Sequence, residues 1–419
     1  MLAKENRVTP DFPRIARNAT LTLLGVQALG SLANSLIATV STIVGAELSG
    51  NTALSGLPGA LVQVGAALAS VLLGLTMDRW GRRYSLAAGM GIGVIGAAIA
   101  GISIVTGSFF WFLAGLMLVG FTRAVSLMGR FVAAEVTPPV SRGRAISYVI
   151  LGGTFGSVIG PFLVDPSGRA AIATGLNEFV GPYAGSMVAL VLSAILIFIT
   201  LRPEPREIGA QISEMYPDLT HTGPTRTIGE IFRTPTAFVA LTAMVFGQVV
   251  MIGLMGITSL HMHANEHPLS AVSVVFSAHT LGMFAFSIVT GQLLDRWGRG
   301  PVILAGAMML ILSAAIAPLW LDVFPIAVAL FLLGLGWNFT YIGGSTLLAD
   351  MLSPAERART QGANELVISL LTAAASFASG PVFKTGGYAL VGVIGAFIAV
   401  IPLAVTGWWM LRAAPQPAV

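Results

Sequence analysis

The chain has no cysteine in 419 residues, which excludes disulfides, thiolate metal ligands and thiol redox chemistry. A soft-metal site would have to be built from its 16 methionines and five histidines. Charge is scarce too: Asp, Glu, Lys and Arg make up 10% of the residues, against about a quarter in soluble proteins. That scarcity excludes a soluble globular fold, and 55% hydrophobic residues with a mean hydropathy of +0.85 mark an integral membrane protein. The isoelectric point near 9.8 invites a nucleic-acid reading, but a net charge of +4, spread in small clusters between apolar runs, fits membrane orientation instead. No nucleic-acid partner is expected. The first sixteen residues carry Lys4, Glu5, Arg7, Asp11 and Arg14 with two prolines and lack the apolar core of a cleavable signal, so a retained, cytoplasmic amino terminus is expected.

What is present is a series of apolar runs, each of roughly the 20 residues that a helix needs to cross a bilayer. Twelve are legible, with limits near 17–46, 52–77, 84–106, 109–134, 145–165 and 181–201, then 235–263, 268–294, 301–321, 323–351, 361–383 and 386–411. Between the sixth and seventh lies the longest polar stretch, with Pro203, Pro205, Pro217 and Pro224 and alternating charge. The expected fold is therefore an all-α membrane protein of twelve transmembrane helices in two six-helix bundles, residues 1–201 and 234–419, joined by a cytoplasmic linker at 202–233. Of the 22 basic residues, Arg123 and Arg130 fall within a span and Arg169 and Lys384 on the opposite side; all others share the side of the amino terminus. Positive-inside bias then places both termini in the cytoplasm.

An internal repeat makes the bundles pseudo-symmetric. The run from Gly74 through Asp78-Arg79-Trp80-Gly81-Arg82-Arg83 returns as Gly291 through Asp295-Arg296-Trp297-Gly298-Arg299, each time between the second and third spans of its half. After each fourth span, Glu135 with Arg142 and Arg144 is echoed by Asp350 with Arg357 and Arg359, and the two offsets are 217 and 215 residues. The Gly-x-x-x-Asp-Arg-x-Gly-Arg-Arg loop, complete at Gly74–Arg83 and nearly so at Gly291–Arg299, resembles the signature of the major facilitator superfamily, and with the twelve spans the resemblance covers essentially the whole chain. It implies secondary transport by alternating access, with the substrate between the halves at mid-membrane. It also implies gating contacts for Asp78, Arg79 and Arg82, with Asp295, Arg296, Glu135, Arg144, Asp350 and Arg359 as further gate residues.

A fold does not name a substrate, so the polar and soft residues inside the spans must. Gln27, Asn34 and Gln63 lie in the first two spans, and Arg123 in the fourth is a candidate for gating or coupling, since a charge at membrane depth is costly. In the second half, Gln248, Met251 and Met255 lie on span seven, His279 and Met283 on span eight, and Asn338 on span ten. Residues four apart share a helix face, so Met251 pairs with Met255 and His279 with Met283. At about 1.5 Å per residue, Met251 and His279 lie roughly 18 and 17 Å from the turn that joins their spans, at one depth. Thioether and imidazole together suit Cu(I). The plainer reading is core packing, because Met is a common gap-filler.

Met-x-x-x-Met followed by His-x-x-x-Met on spans seven and eight resembles the CcoA-type bacterial copper importers, which supply cbb3-type cytochrome oxidase assembly. The resemblance implies a copper site at Met251, Met255, His279 and Met283, with copper as cargo rather than cofactor and cytoplasmic copper chaperones as receivers. His261, Met262, His263 and His267 form a candidate capture cluster at the outer end of span seven, although interfacial histidines bonded to water and headgroups explain them equally, and His221 in the linker reads as solvated. Acidic residues fall at span ends, with Glu365 near the start of span eleven, which argues against hard divalent cations and cationic drugs. A neutral His279 would then serve proton coupling. No nucleophile, base and orienting group occur at useful spacing, so an enzyme is not expected. The expectation is copper import across a bacterial inner membrane; the alternatives are a proton-coupled exporter of hydrophobic organic compounds using Arg123, and a non-transporting copper sensor or scaffold.

Overall fold

In lipid a segment has no water to satisfy its backbone N–H and C=O groups, so long apolar runs resolve as helices. The computed structural model describes residues 11–216 and 226–412, and among them regular structure is helical throughout. Residues Lys4, Glu5 and Arg7 of the amino terminus and His221, Pro217 and Pro224 of the linker lie outside the described residues. The first bundle holds α1 (Phe12–Ser49), α2 (Leu57–Trp80), α3 (Arg82–Thr106), α4 (Phe109–Glu135), α5 (Arg142–Phe162), a short α6 (Val164–Ala173) and α7 (Val180–Thr200). The linker carries α8 (Pro205–Met215) and α9 (Ile228–Phe232). The second bundle holds α10 (Pro235–Ala264), α11 (Leu269–Phe284), α12 (Ser287–Trp297), α13 (Arg299–Ile316), α14 (Val323–Asp350) and α15 (Pro354–Arg412). We call the membrane side that holds α8 and α9 the linker side and the other the far side.

α15 accounts for two crossings. Fifty-nine residues of straight helix would extend about 90 Å, three times the hydrocarbon core. The chain instead reverses at Gly386 and Gly387, where Gly387 adopts φ 62° and ψ −164°. Ala375, Ala378 and Val382 of the first arm line one crevice with Ile398, Ile394 and Val391 of the second, an antiparallel pairing. Twelve spans result, as the fold class required. The eighth is not continuous, however: it breaks between α11 and α12, and buried Asn338 of α14 answers for the groups freed there. Its Nδ2 donates to the Met283 carbonyl at 2.5 Å and to Ser287 Oγ at 3.0 Å, while its Oδ1 accepts from Thr290.

Local chemistry sets the ends. Asp11 accepts from the Arg14 amide, and Thr234 accepts from that of Ala237 ahead of Pro235, so both lead helices begin on a capped turn. The linker is more ordered than its polar composition implied, because α8 turns Ile208 and Ile212 into the first bundle's core, both almost fully buried. A capping box between Thr227 and Glu230 starts α9.

Without a hydrophobic force between helices in lipid, close packing relies on small residues. A Cβ on Gly156 of α5 would sit 1.9 Å from the Ala28 carbonyl of α1, and one on Gly334 of α14 would sit 2.2 Å from that of His279 on α11.

Candidate functional site

The two bundles meet on the far side through small, mostly uncharged contacts. Thr42 and Ser259 hydroxyls bond at 2.7 Å, Ser376 donates to the Gly56 carbonyl at 3.0 Å, and Lys384 reaches Asn51. A Cβ on Gly56 would fall 1.8 Å from the Ser376 carbonyl, so backbone approaches backbone at this seam. His263 Nε2 of α10 lies 3.2 Å from Glu47 of α1, with the Phe179 ring edge-on to it.

On the linker side the strong contacts stay within each bundle. Arg82 donates from Nε and Nη2 to both oxygens of Glu135, at 3.0 and 3.1 Å, and from Nη1 to Asp78 and to the Met77 carbonyl. Arg299 repeats this with Asp350 at 2.8 Å and the Leu294 carbonyl at 3.1 Å. Gly81 and Gly298 hold one conformation, φ 87° and 85°, which a side chain would strain. A contact from the signature loop to a neighbouring helix end therefore exists twice, made by Arg82 in the first half and by Arg299 in the second. Arg79, Arg144, Asp295 and Arg296 are exposed, and their side chains make no hydrogen bond or ion pair among the described residues. Arg359 donates to the Arg226 carbonyl. Arg226 in turn grips Glu356 from its backbone N, Nε and Nη2, and holds that carboxyl well below the usual carboxylate range. No motif pointed to this tie, because Arg226 is remote in sequence from Glu356.

Between these ends, residues of both bundles converge. Arg123 near the middle of α4 is exposed, and Glu365 of α15 and Tyr341 of α14 lie within its electrostatic reach. Tyr341 donates to Glu365 Oε1 at 2.8 Å, and Arg130 Nη2 of α4 is 4.0 Å from the same oxygen. Trp337, one turn from Tyr341, stacks on it with centroids 4.9 Å apart and planes 21° from parallel; Phe284 meets Trp337 edge-on, and Gln248 accepts from its indole N–H. Both stacked residues are partly exposed. The result is an aromatic wall from the second bundle faced by two guanidinium groups from the first, with one carboxylate between them. α15 starts at Pro354, ahead of its apolar run, so Glu365 sits about three turns inside the helix, next to the first apolar residues of the span. Of the first bundle's amides, Asn34 bonds Thr122 and the Gly30 carbonyl within its own bundle, and Gln63 is buried.

The methionine and histidine set packs differently from its expected face-to-face arrangement. His279 is fully buried against α14, where Nδ1 lies 2.9 Å from the Leu330 carbonyl, while its Nε2 has no hydrogen-bond partner among the described residues. Met251 is 4% exposed and belongs, with partly buried Met255 and Met283, to an apolar cluster that includes Leu254, Phe276 and Leu333. α14 interposes because α11 packs on it through the glycine contact at Gly334.

The expected capture cluster is dispersed. His261 stacks on Tyr388 at 4.4 Å, His263 pairs with Glu47, His267 bonds the Leu321 carbonyl, and Met262 is fully buried. Among the described residues no three His, Asp or Glu side chains are grouped to hold a metal. Successive positions on a helix point in different directions, which is why three histidines close in sequence do not share a site.

Comparison with known proteins agrees with the twelve-span architecture. The sequence model of the Major Facilitator Superfamily matches residues 23–271 and 254–419. The MFS-type transporter YdeG of Bacillus subtilis is 31% identical over 96% of this chain and 94% of its own length. The riboflavin transporter RfnT of Brucella anthropi is 31% identical over 89% of this chain and 91% of its own. A solved structure of a bacterial homologue of the human lysosomal transporter Spinster superposes with a TM-score of 0.71 over 96% of this chain and 99% of that one, at 17% identity.

Proposed function

We propose that this chain, which belongs to the Major Facilitator Superfamily and is a secondary transporter within it, carries a planar, hydrogen-bonding organic solute of riboflavin's kind. One observation carries the reading: the Trp337–Tyr341 stack, partly exposed and faced by Arg123 and Arg130 of the other bundle. A flat heterocycle stacks on such a wall at about 1–3 kcal/mol per ring, the guanidinium groups suit its carbonyl or phosphate oxygens, and Glu365 accepts its ring N–H. The 31% identity with a riboflavin transporter, nearly end to end, supports the same class. The basic residues gathered on the linker side support a bacterial inner-membrane location with both termini cytoplasmic.

Copper import is the second reading and rests on the buried, unpartnered Nε2 of His279 within a cluster that holds Met251, Met255 and Met283. Neither the family match nor the named relatives speak for it. Uptake of radiolabelled riboflavin and of radioactive copper, measured side by side in cells lacking their own importers, separates the two. Riboflavin uptake lost in Trp337→Ala and kept in His279→Ala is the expected result. Copper uptake lost in His279→Ala, with no riboflavin flux, would replace this reading with copper import.

A further inference from the structure

We infer that the solute is a planar anion and that Arg123 receives its oxyanion, a carboxylate or phosphate group. The inference rests on the stacking site proposed above and deepens it by naming the charge of the solute that the site takes.

Three observations converge on this residue. First, Arg123 has no structural task. It is exposed near the middle of α4 and makes no hydrogen bond or ion pair among the described residues. Asn338, at the matching position 215 residues on, is buried and bonds Met283, Ser287 and Thr290 across the broken eighth span. A charge at membrane depth is costly, so a guanidinium left without a protein partner there points to a function. Second, charge within the spans does not balance. Every other Asp and Glu among the described residues stands near a helix end or in a connection, so Glu365 alone answers both Arg123 and Arg130. That carboxylate lies 4.0 Å from Arg130 and accepts from Tyr341 at 2.8 Å. Arg123 is two turns from Arg130 on the same face of α4, about 10 Å along the axis, and is the uncovered one of the two. Third, the depths match. α4 and α14 both run from the far side to the linker side, and Arg123 and Trp337 lie about 18 and 20 Å from their ends at Glu135 and Asp350. A ring on Trp337 therefore carries a substituent at the level of Arg123, with Tyr341 and Glu365 nearer the linker side.

Solvation then selects the sign of the solute. An exposed guanidinium is hydrated, and closure of the bundles on a solute removes that water. A neutral solute would leave a buried cation without compensation, which is costly. An oxyanion replaces the lost water with charge-assisted hydrogen bonds in the planar, two-point geometry that a guanidinium favours.

Riboflavin and riboflavin 5′-phosphate share one ring system and differ in charge, so quenching of their fluorescence by the transporter in nanodiscs of zwitterionic lipid isolates the effect of charge. The wild type should bind the phosphate about tenfold or more tightly than riboflavin. Arg123→Gln should bring the ratio of the two affinities to within about twofold of one, and Arg123→Lys should restore part of the preference. Arg17→Gln, which removes an exposed cation near the linker-side start of α1, should leave the ratio as in the wild type. A wild type that binds both flavins equally or favours riboflavin overturns the inference, as does an Arg123→Gln variant that keeps the wild-type ratio. If neither flavin quenches, the flavin reading fails by itself, and thermal unfolding with 2-naphthoate and its neutral isostere 2-naphthamide decides the role of Arg123. Stabilisation by naphthoate alone, lost in Arg123→Gln, supports the inference; equal shifts with the two compounds, or none with either, overturn it.

Discussion

Arg82 in the first bundle and Arg299 in the second perform one task in one geometry, each closing on a carboxylate at the end of a helix and on a carbonyl five residues back. The central lining is unlike this. At the offset of 215 residues that relates Glu135 to Asp350, Arg123 and Arg130 correspond to Asn338 and Ser345, and Trp337 and Tyr341 correspond to Thr122 and Ser126. Both bundles keep the same glycine turn and the same clamp. They differ in the central lining, and under the proposed function that difference has a reason: an asymmetric molecule held between two halves needs different partners on each. The first bundle supplies the cations and the second the aromatic wall.

Several substitutions test how far the comparison holds. The largest effect is expected at the seam between the bundles: Gly56→Leu places side-chain atoms on the Ser376 backbone, so the far side cannot close and uptake should fall to the vector level at normal membrane expression. Next come the duplicated clamps. Arg82→Ala and Arg299→Ala each remove hydrogen bonds between charged groups worth about 1.5–3 kcal/mol inside one bundle, so each should shift local opening at the linker-side end of that bundle by roughly 10- to 150-fold. Limited proteolysis of the linker-side loops reads that shift, and unequal responses would break the symmetry claimed for them. Trp337→Ala should weaken solute binding by about tenfold or more through lost stacking, whereas Thr122→Ala, at the matching position, should disturb only the bond to Asn34 and leave solute affinity within about twofold. A smaller, pH-linked effect belongs to Arg226 and Glu356. The carboxyl of Glu356 is depressed in the folded protein, so the pair's stabilisation is complete above about pH 4.3, the ordinary glutamate value, and is lost as pH falls below it. Protease nicking beside Arg226 should rise over that range in the wild type and be high at every pH in Arg226→Gln.

The architecture was legible because its signals are local and repeated. Apolar length gave the spans, and the pair of glycine–aspartate–arginine loops gave the two-bundle symmetry. Arg123 stood out because a charge at mid-span has few explanations. Glu365 did not, since its partners Tyr341 and Arg130 lie on two other helices and spacing along the chain does not bring them to it. The aromatic wall was silent for a different reason: Trp337 and Tyr341 one turn apart look like ordinary span residues until Arg123 and Arg130 are seen facing them from the other bundle. The methionine and histidine spacing places each pair on one helix face, but which neighbour that face meets depends on α14 passing between, and spacing does not encode that. The break between α11 and α12 likewise depends on a distant residue, Asn338, supplying the missing hydrogen bonds.

The most direct test of the central claim is the quenching of riboflavin fluorescence by the purified transporter, wild type against Trp337→Ala and His279→Ala. Stacking on the wall predicts saturable quenching in the wild type and in His279→Ala, with affinity reduced by about tenfold or more in Trp337→Ala. Quenching that is absent from the wild type, or equal in Trp337→Ala, would contradict a recognition site built on the second bundle's aromatic wall.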